Sequence, residues 1–313
     1  MPLNGVLNVN KPAGVTSHDV VDAVRRLAQE RRVGHAGTLD PMATGVLPIC
    51  IGKATRLSEA IMAGRKVYAA EITFGVVTDT QDSTGDILAE ADASHLTREA
   101  VQDVLARFTG TIEQLTPMVS ARRVNGRRLY ELARRGEVVE RGRREVQVHA
   151  LELLGFRPGF HPTATVRVEC SGGTYVRTLA HDIGAALGTG AHMSGLRRIQ
   201  VGPFTEGSAW KLDELEELAS DGRLAEALIP MAEAVAHLPM ARISAEDVVR
   251  VGHGGFPKEW VGEAPLESER VALISPDGSL AALARVELGR RTDGIRLRPY
   301  AVFVEQSSSD ASV

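Results

Sequence analysis

Apolar residues at helical spacing predict three helices ahead of residue 190. In "TSHDVVDAVRRLAQERR" the apolar positions follow the period of an amphipathic helix, and Thr16 followed three residues later by Asp19 is typical of a capping box. A second helix is predicted from Leu96 to Phe108, with its cap near Thr97. The third is "TYVRTLAHDIGAALG", in which leucine and isoleucine recur every four residues directly after the glycine turn "SGG".

Alternation of apolar and polar residues predicts strands between these helices. "RKVYAAEITFG" places Tyr68, Ala70, Ile72 and Phe74 together on its more apolar face. "TATVRVEC" alternates in the same way and leads into the third helix, and "LRRIQVGPF" is typical of a short strand. Strands interspersed with helices, joined by hairpins as well as crossovers, favour an α+β domain with a mixed sheet.

From about residue 240 the pattern changes to that of a small β-rich unit. A short helix in "SAEDVVRVG" precedes the strands "RVALIS", "LAALARVEL" and "IRLRPYAVF", with the turn "PDGS" after the first of them. These strands predict a small barrel or sandwich. The chain ends in "EQSSSDASV", which is typical of a frayed tail.

The composition is that of a globular protein. Of 313 residues, 43% are hydrophobic and 24% are charged, which supplies enough apolar side chains for a sizeable core. No apolar run reaches the roughly 20 residues that span a bilayer, and the N-terminus lacks the basic flank and apolar segment of a signal peptide, so we expect a cytoplasmic protein. Cys50 and Cys170 lie far apart and outside any Cys/His cluster, so neither a disulfide nor a metal site is predicted.

Positive charge is concentrated in one segment. Residues 122–145, the arginine segment, contain nine arginines and four glutamates, a local charge of +5, although the whole chain has a net charge of −4. Such a segment is suited to gripping a polyanion at one place. A solvated helix with arginines on its wet face is an equally good interpretation of these residues alone. We predict a helix followed by a loop here.

The stretch "GHAGTLDPMATGVLP" holds Asp40 among three glycines and two prolines, too many for a long helix or strand. An ionised aspartate acts as a nucleophile or base without activation, provided that another group orients it. A candidate is Arg177, at the predicted start of the third helix, where the helix dipole disfavours a cation that has no carboxylate partner. Taken singly, Asp40 is typical of a turn or a helix cap and Arg177 of a surface arginine. No GxSxG, HExxH or GxGxxG motif is present, so no cofactor is predicted.

The same stretch resembles the catalytic motif of the TruB family of pseudouridine synthases, which act on tRNA. Three further stretches resemble motifs of that family in the same order: "GVLNVNKPAGVTSHDVVDAVRR", "KVYAAEITFGVVTDTQDSTG" and "CSGGTYVRTLAHDIGAALGTGAHMSGLRR". The resemblance extends from about residue 3 to about residue 200. It implies a cofactor-free isomerisation of uridine at position 55, in the TΨC arm of tRNA, in which the N1–C1′ bond breaks and the base is rejoined through C5.

The resemblance also implies roles for individual residues. Asp40 falls on the catalytic aspartate, which attacks either C1′ of the ribose or C6 of the base. Tyr68 falls on the tyrosine that stacks on the target base and helps to remove the C5 proton, and Arg177 falls on the arginine that pairs with the aspartate. Further residues are expected to contact the substrate: His35, Tyr175, Leu196, Lys11, Arg127, Arg128, Arg134 and Arg135.

The fold that the resemblance implies is α+β, with a pseudouridine synthase-like, mixed and largely antiparallel sheet flanked by helices. We expect a catalytic domain at 1–239, interrupted at 119–146 by a thumb that clamps RNA and contains the whole arginine segment. A small β-rich, PUA-like RNA-binding domain is expected at 240–305, followed by a disordered tail at 306–313.

A uridine stacked in a folded RNA loop must be flipped out before any group of a protein reaches it. Stacking on Tyr68 and phosphate contacts from the arginine segment offset that cost. The expected partner is the TΨC stem-loop of tRNA, bound by a monomer without a guide RNA. Two alternatives stay open: a tRNA-folding chaperone with secondary catalysis, and a synthase that acts on another RNA.

Overall fold

The computed structural model describes residues 3–118, 123–124, 127–128, 139–262, 270–288 and 295–304. The strands of the N-terminal part are, in chain order, β1 (Gly5–Lys11), β2 (Val33–His35), β3 (Thr44–Ile51), β4 (Lys66–Phe74), β5 (Val76–Thr78), β6 (Ile87–Glu90), β7 (Gly110–Leu115), β8 (Arg123–Val124), β9 (Arg127–Arg128), β10 (Arg143–Arg157), β11 (Thr163–Cys170), β12 (Ala191–Val201) and β13 (Phe204–Thr205). The helices are α1 (Ser17–Ala28), α2 (Ser58–Ala63), α3 (Arg98–Ala106), α4 (Val176–Ala186), α5 (Leu212–Ser220) and α6 (Met231–Ala234), with short 3₁₀ helices at Gly52–Leu57, Glu206–Ser208 and Leu224–Ala227.

Nine of the strands in the described ranges form one sheet. Its order is β1-β3-β12-β4-β11-β10-β7, with β2 paired to β3 and β13 paired to β12. The strands pair antiparallel except for β12 and β3, which run parallel. The predicted α+β class with a mixed, largely antiparallel sheet is therefore confirmed.

Both predicted helix caps are present. Thr16 caps α1 by accepting the Asp19 N–H, and the Asp19 carboxylate accepts the Thr16 N–H in return, which satisfies two donors that the first turn leaves free. Thr97 caps α3 by accepting the Ala100 N–H. Within the part of the chain that the structure describes, no helix is long and apolar enough to cross a membrane.

Two hydrophobic clusters join the helices to the sheet. The first packs α3 and α4 against β4 and β11, and it includes Phe74, Leu105 and Ile183. The second packs α1 and α5 against β1 and β3. Leu39 and Ala43 belong to the first cluster, so the segment around Asp40 is fixed by the same apolar burial that holds the sheet.

The C-terminal unit consists of β14 (Met240–Ile243), α7 (Ala245–Gly252), β15 (Trp260–Val261), β16 (Val271–Ile274), β17 (Leu280–Leu288) and β18 (Ile295–Val302). The three predicted strands and the predicted helix are confirmed. In the described ranges the strands pair as one five-stranded sheet of order β15-β14-β16-β17-β18, whereas the sequence predicts a barrel or sandwich. Strand pairing across a sheet depends on contacts that local periodicity does not encode.

A shared core joins the C-terminal unit to the N-terminal part. Leu57 and Ile61 are buried in one cluster with Leu283 and Phe303. At the edge of this core, Arg56 Nη1 donates a hydrogen bond of 2.7 Å to the Val302 carbonyl. The contact is thus apolar at its centre and polar at its edge.

The loop prediction for residues 34–48 needs correction. β2 ends at His35 and β3 begins at Thr44, so the loop proper is residues 36–43. Proline is tolerated in β3 because Pro48 keeps its carbonyl, which accepts the Ala36 N–H at 2.8 Å. The strand predicted from "LRRIQVGPF" is also longer than expected, because β12 already begins at Ala191.

The helix-plus-loop prediction for the arginine segment is wrong where the structure describes that segment. Its backbone forms the antiparallel pair β8–β9, and Arg143 opens the 15-residue strand β10. Val146 and Val148 are buried in β10 while their neighbours are not, and this two-residue alternation overrides the helical interpretation. Residues 129–138, which include Arg134 and Arg135, lie outside the described residues.

Candidate active site

The loop that carries Asp40, between β2 and β3, is tied down on both sides of that residue. The Asp40 carbonyl accepts the Ala43 N–H at 3.0 Å and closes a turn. Ser17, the first residue of α1, exchanges two hydrogen bonds of 2.9 Å with the backbone N–H and carbonyl of Leu39. Because Ser17 is buried, these bonds fix the direction in which the chain enters Asp40.

Lys11 ties the same loop from β1. Its side chain is fully buried, and Nζ donates to the carbonyls of Pro12, Val15 and Pro41 at 2.8, 2.7 and 3.2 Å. Burial lowers the pKa of Lys11 to about 8. The Lys11 ammonium group therefore anchors the Asp40 loop. The substrate contact expected for Lys11 stays a prediction.

Arg177 joins the Asp40 loop to α4. Its Nη2 lies 2.7 Å from both carboxylate oxygens of Asp40, although the two residues are 137 positions apart. Arg177 is 7% exposed and Asp40 is 29% exposed. Bonds of this length are typical of a charge-assisted pair between a guanidinium and a carboxylate. The sequence predicts a carboxylate partner for Arg177, because the dipole at a helix start disfavours an unpaired cation. Asp40 is that partner.

A second carboxylate, which sequence reasoning missed, lies on the other side of Arg177. Asp82 Oδ2 accepts a hydrogen bond of 3.1 Å from Arg177 Nη1, and the Asp82 side chain is 3% exposed. Asp82 Oδ1 accepts from the hydroxyls of Thr80 and Thr84 at 2.8 and 2.6 Å. The sequence signal is the pattern Thr-x-Asp-x-Thr, which by itself indicates only a local turn.

The charges around Asp40 act in opposite directions. Burial raises the pKa of Asp40 above its ordinary value of 3.8, and the nearby Arg177 guanidinium lowers it. Asp82 adds to the increase, while Lys11 adds to the decrease. Of the two carboxylates that Arg177 binds, Asp40 is the one with an exposed edge. Such a group is equipped to act as a nucleophile or base.

Tyr68 lies close enough to this carboxylate for the two groups to interact electrostatically. It is on β4, 7% exposed, in the same buried cluster as Leu39 and Ala43 on either side of Asp40. Burial raises the pKa of Tyr68, and the facing guanidinium of Arg198 opposes that increase. The strand prediction for this segment, with Tyr68 on the buried face, is confirmed.

Leu196, Tyr175 and His35 come from three further elements. Leu196 lies on β12 opposite Ala70 and packs half-buried against the cluster that contains Tyr68. Tyr175 precedes α4, and its backbone N–H and carbonyl both bond to the Gln114 side chain. Burial lowers the pKa of His35, and its buried Nδ1 has no hydrogen-bond partner within the described ranges.

The arginine segment is described at backbone level at two of its four predicted substrate contacts. Arg127 and Arg128 form β9, which pairs with β8. Arg134 and Arg135 lie outside the described residues. Their contact with substrate stays a prediction.

Solved structures and family models identify the class of protein. The fold matches a chain in a crystal structure of a Cbf5-Nop10-Gar1 complex with a TM-score of 0.78 at 31% identity, covering 96% of this chain and 85% of that chain. Residues 25–176 match the model of the TruB family pseudouridylate synthase N-terminal domain. The fold and its similarities define a pseudouridylate synthase.

Curated relatives identify the family. The tRNA pseudouridine synthase B of Symbiobacterium thermophilum is 54% identical over 255 residues, which cover 82% of this chain and 83% of the relative. The tRNA pseudouridine synthase B of Syntrophotalea carbinolica is 43% identical over 310 residues, 98% of this chain and all of the relative. Residues 177–236 match the model of the tRNA pseudouridylate synthase B C-terminal domain. The chain belongs to the TruB family of pseudouridylate synthases.

Proposed function

We propose that this chain isomerises uridine to pseudouridine in tRNA, at position 55 of the TΨC arm. The observation that carries the proposal is the Asp40 carboxyl group. Arg177 binds it, 29% of its side chain is exposed, and it lies within electrostatic range of Tyr68. Membership of the TruB family and the names of the relatives, tRNA pseudouridine synthase B, support a tRNA substrate.

The target uridine leaves its stack before it reacts, because the Asp40 side chain is only 29% exposed and a stacked base cannot reach it. The flipped base stacks on Tyr68, an interaction of about 1–3 kcal/mol per base. We place Leu196 and Tyr175 along the walls of this pocket, and His35 where the extruded nucleotide leaves a gap.

Asp40 supplies the attacking group. Its carboxylate forms a bond either to C1′ of the ribose or to C6 of the base, and the N1–C1′ bond breaks. The base then rotates and C5 bonds to C1′, and the bond to Asp40 breaks, which restores its carboxylate. C5 loses its proton and N1 takes one up. We assign the removal of the C5 proton to Tyr68. Substrate and product have the same atoms and the same oxidation state.

The two carboxylates on Arg177 have different tasks in this reaction. When Asp40 forms its covalent bond, its negative charge disappears and the buried Arg177 loses that partner. Asp82, 3.1 Å away on Nη1, keeps the guanidinium paired throughout. A buried cation left without a partner costs several kcal/mol, so Asp82 lowers the energy of the covalent intermediate.

We assign binding of the tRNA arm to regions outside the pocket. We assign catalysis to a domain at 1–239, the clamp on the TΨC stem-loop to a thumb at 119–146, and further RNA contacts to a PUA-like domain at 240–305. Phosphate contacts from arginines supply affinity without sequence preference. We propose that the chain needs no guide RNA, because its own relatives at 43–54% identity are named for tRNA alone.

The test uses the purified chain and an unmodified tRNA transcript. Carbodiimide treatment followed by primer extension marks each pseudouridine, and we expect one stop, at position 55. A transcript with cytidine at that position is the matched control and should give no stop. Stops at other uridines, no stop at all, or a stop that needs added cell RNA would contradict the proposal.

A further inference from the structure

Arg198 is a fully buried cation that donates hydrogen bonds to three backbone carbonyls around Asp40. Its side chain is 1% exposed. Nε donates to the Val46 carbonyl at 2.7 Å, Nη2 to the Gly37 carbonyl at 2.9 Å and Nη1 to the Thr38 carbonyl at 3.4 Å. Among the described residues no carboxylate forms an ion pair with it. Burial of a charge is costly, so this position calls for an explanation.

The three carbonyls lie on both ends of the Asp40 loop. Gly37 and Thr38 precede Asp40, and Val46 follows it at the start of β3. The donors of the planar guanidinium are rigidly spaced, so these bonds fix the distance between the two ends of the Asp40 loop. Gly45, directly before Val46, leaves room for this contact, since a Cβ there would lie 2.2 Å from the Arg198 carbonyl oxygen.

The same arginine faces Tyr68. β12 lies between β3 and β4, and Arg198 is the register partner of Gly45 on one side and of Tyr68 on the other. Directly opposed residues of neighbouring strands present their side chains on the same face, and the Arg198 guanidinium interacts with the Tyr68 hydroxyl. A register shift between Arg198 and Gln200 marks a β-bulge at this point, a device that re-aims side chains.

We infer that Arg198 is a positioning residue that sets the Asp40 loop and the Tyr68 hydroxyl relative to one another. The inference rests on the proposed function, in which Asp40 attacks and Tyr68 contacts the base. Arg198 acts through the Asp40 loop and through Tyr68 on β4, and not on the substrate directly. These two groups have to converge on one nucleotide.

The electrostatics around Tyr68 agree with this role. Burial raises the pKa of Tyr68, and Cys170 on β11 and Asp40 on its loop act in the same direction. Arg198 is the group that opposes them. Its positive charge lowers the cost of negative charge on the Tyr68 oxygen.

Arg198→Lys tests the inference, with Arg197→Lys as the matched control. Lysine keeps the charge but lacks the rigid fork that reaches three carbonyls. Arg197 is the neighbouring residue, points to the other face and pairs with Glu206. We expect Arg198→Lys to lower the single-turnover rate of pseudouridine formation by about 10- to 100-fold, with the Kd for tRNA changed by less than about threefold. Arg197→Lys should keep the rate.

A spectroscopic measurement separates this inference from the proposed function. The chain has four tyrosines, so 3-fluorotyrosine labelling gives four fluorine resonances, and Tyr68→Phe identifies that of Tyr68. Arg198→Lys should shift the Tyr68 resonance, whether or not RNA is modified, and Arg197→Lys should leave it in place. If the wild-type protein leaves the transcript unmodified, the proposed function is overturned but the positioning role is not. An unmoved Tyr68 resonance, or an Arg198→Lys rate equal to wild type, would overturn the positioning role.

Discussion

Arg177 is the residue that balances the charges of the site. It is 7% exposed and contacts Asp40 with one nitrogen and Asp82 with the other. The cation lies at the first turn of α4, where the helix dipole adds to the cost of its charge. Two carboxylates offset that cost, and one of them remains free to react.

Asp82→Asn should therefore weaken both catalysis and stability. Asparagine keeps the shape of the side chain but removes the charge that pairs with Arg177 when Asp40 reacts. We expect a fall of about tenfold or more in the single-turnover rate and a loss of about 1–3 kcal/mol in the free energy of unfolding. Denaturant unfolding and a rapid-quench assay measure the two effects.

Asp103→Asn is the matched control for that prediction. Asp103 is an exposed residue of α3, and the same change there should leave rate and stability unaltered. Equal behaviour of the two variants would refute the role assigned to Asp82.

The pH dependence of the rate follows from Asp40. Its carboxylate attacks only when it is deprotonated, and burial raises its pKa above the ordinary 3.8. The activity is therefore present above the raised pKa and is lost as the pH falls through it. The single-turnover rate is measured over the acid pH range in which unfolding measurements show the protein to be folded. The midpoint of the acid limb should lie above pH 3.8. A limb below that value would contradict the burial argument.

β3 and β12 approach each other closely at the end of the Asp40 loop. Gly45 has φ +99°, and a Cβ there would lie 2.2 Å from the Arg198 carbonyl oxygen. Residues other than glycine rarely adopt this backbone conformation. The parallel pairing of β12 with β3, which brings Arg198 to the loop, depends on this position.

Gly45→Ala should destabilise the protein more than Gly188→Ala. Gly188 also has a positive φ, of +75°, but a Cβ there meets no atom within 4 Å, so it reports the conformational strain alone. We expect the Gly45 variant to lose about 1–3 kcal/mol more in the free energy of unfolding. Urea unfolding of both variants measures the difference, and equal losses would show that the close approach of the strands is unimportant.

Helices and helix caps could be predicted from the sequence because their signals are local. The Thr16–Asp19 pair and the alternation around Tyr68 each lie within one element, and both are found in the structure. β1 and β3 were not predicted. Their pairing joins residues some 40 positions apart, such as Leu7 and Ile49, and Pro48 lowers the apparent strand propensity of β3.

The residues of the candidate site also fall into two groups, those with a local sequence signal and those without one. Asp40, Tyr68 and Arg177 could be predicted because each belongs to a recognisable motif. Asp82 and Arg198 could not be, since a turn-forming loop and a basic pair in a strand say nothing about burial. Their importance comes from contacts across the sheet, 95 positions for Asp82 with Arg177 and 152 for Arg198 with Val46.

The whole molecule combines a net charge of −4 with an arginine segment of +5. Such a charge distribution favours binding of a polyanion at the arginine segment and repels it from the rest of the surface. The C-terminal sheet is joined to the catalytic part through a buried core that includes Leu57 and Phe303. This core holds the two parts together without a contribution from bound RNA.

Neutralising Arg127, Arg128, Arg134 and Arg135 together should weaken tRNA binding and flatten its dependence on salt. Each phosphate contact that is lost lowers the slope of log Kobs against log salt by about 0.7–0.9. Filter binding over a salt series measures this slope. Substituting the same number of exposed arginines outside the thumb and the C-terminal unit, such as Arg98, Arg107, Arg157 and Arg223, is the control. A slope equal to that of the wild type would refute the clamp.

The central claim, that the Asp40 carboxylate held by Arg177 is the attacking group, is tested most directly by one rate. Tritium release from tRNA labelled at C5 of uridine is measured under single-turnover conditions with wild type and with Asp40→Asn, at saturating protein and with tRNA binding checked for both. We predict that the variant binds tRNA and releases no tritium above the protein-free level. Release at the wild-type rate would contradict the account.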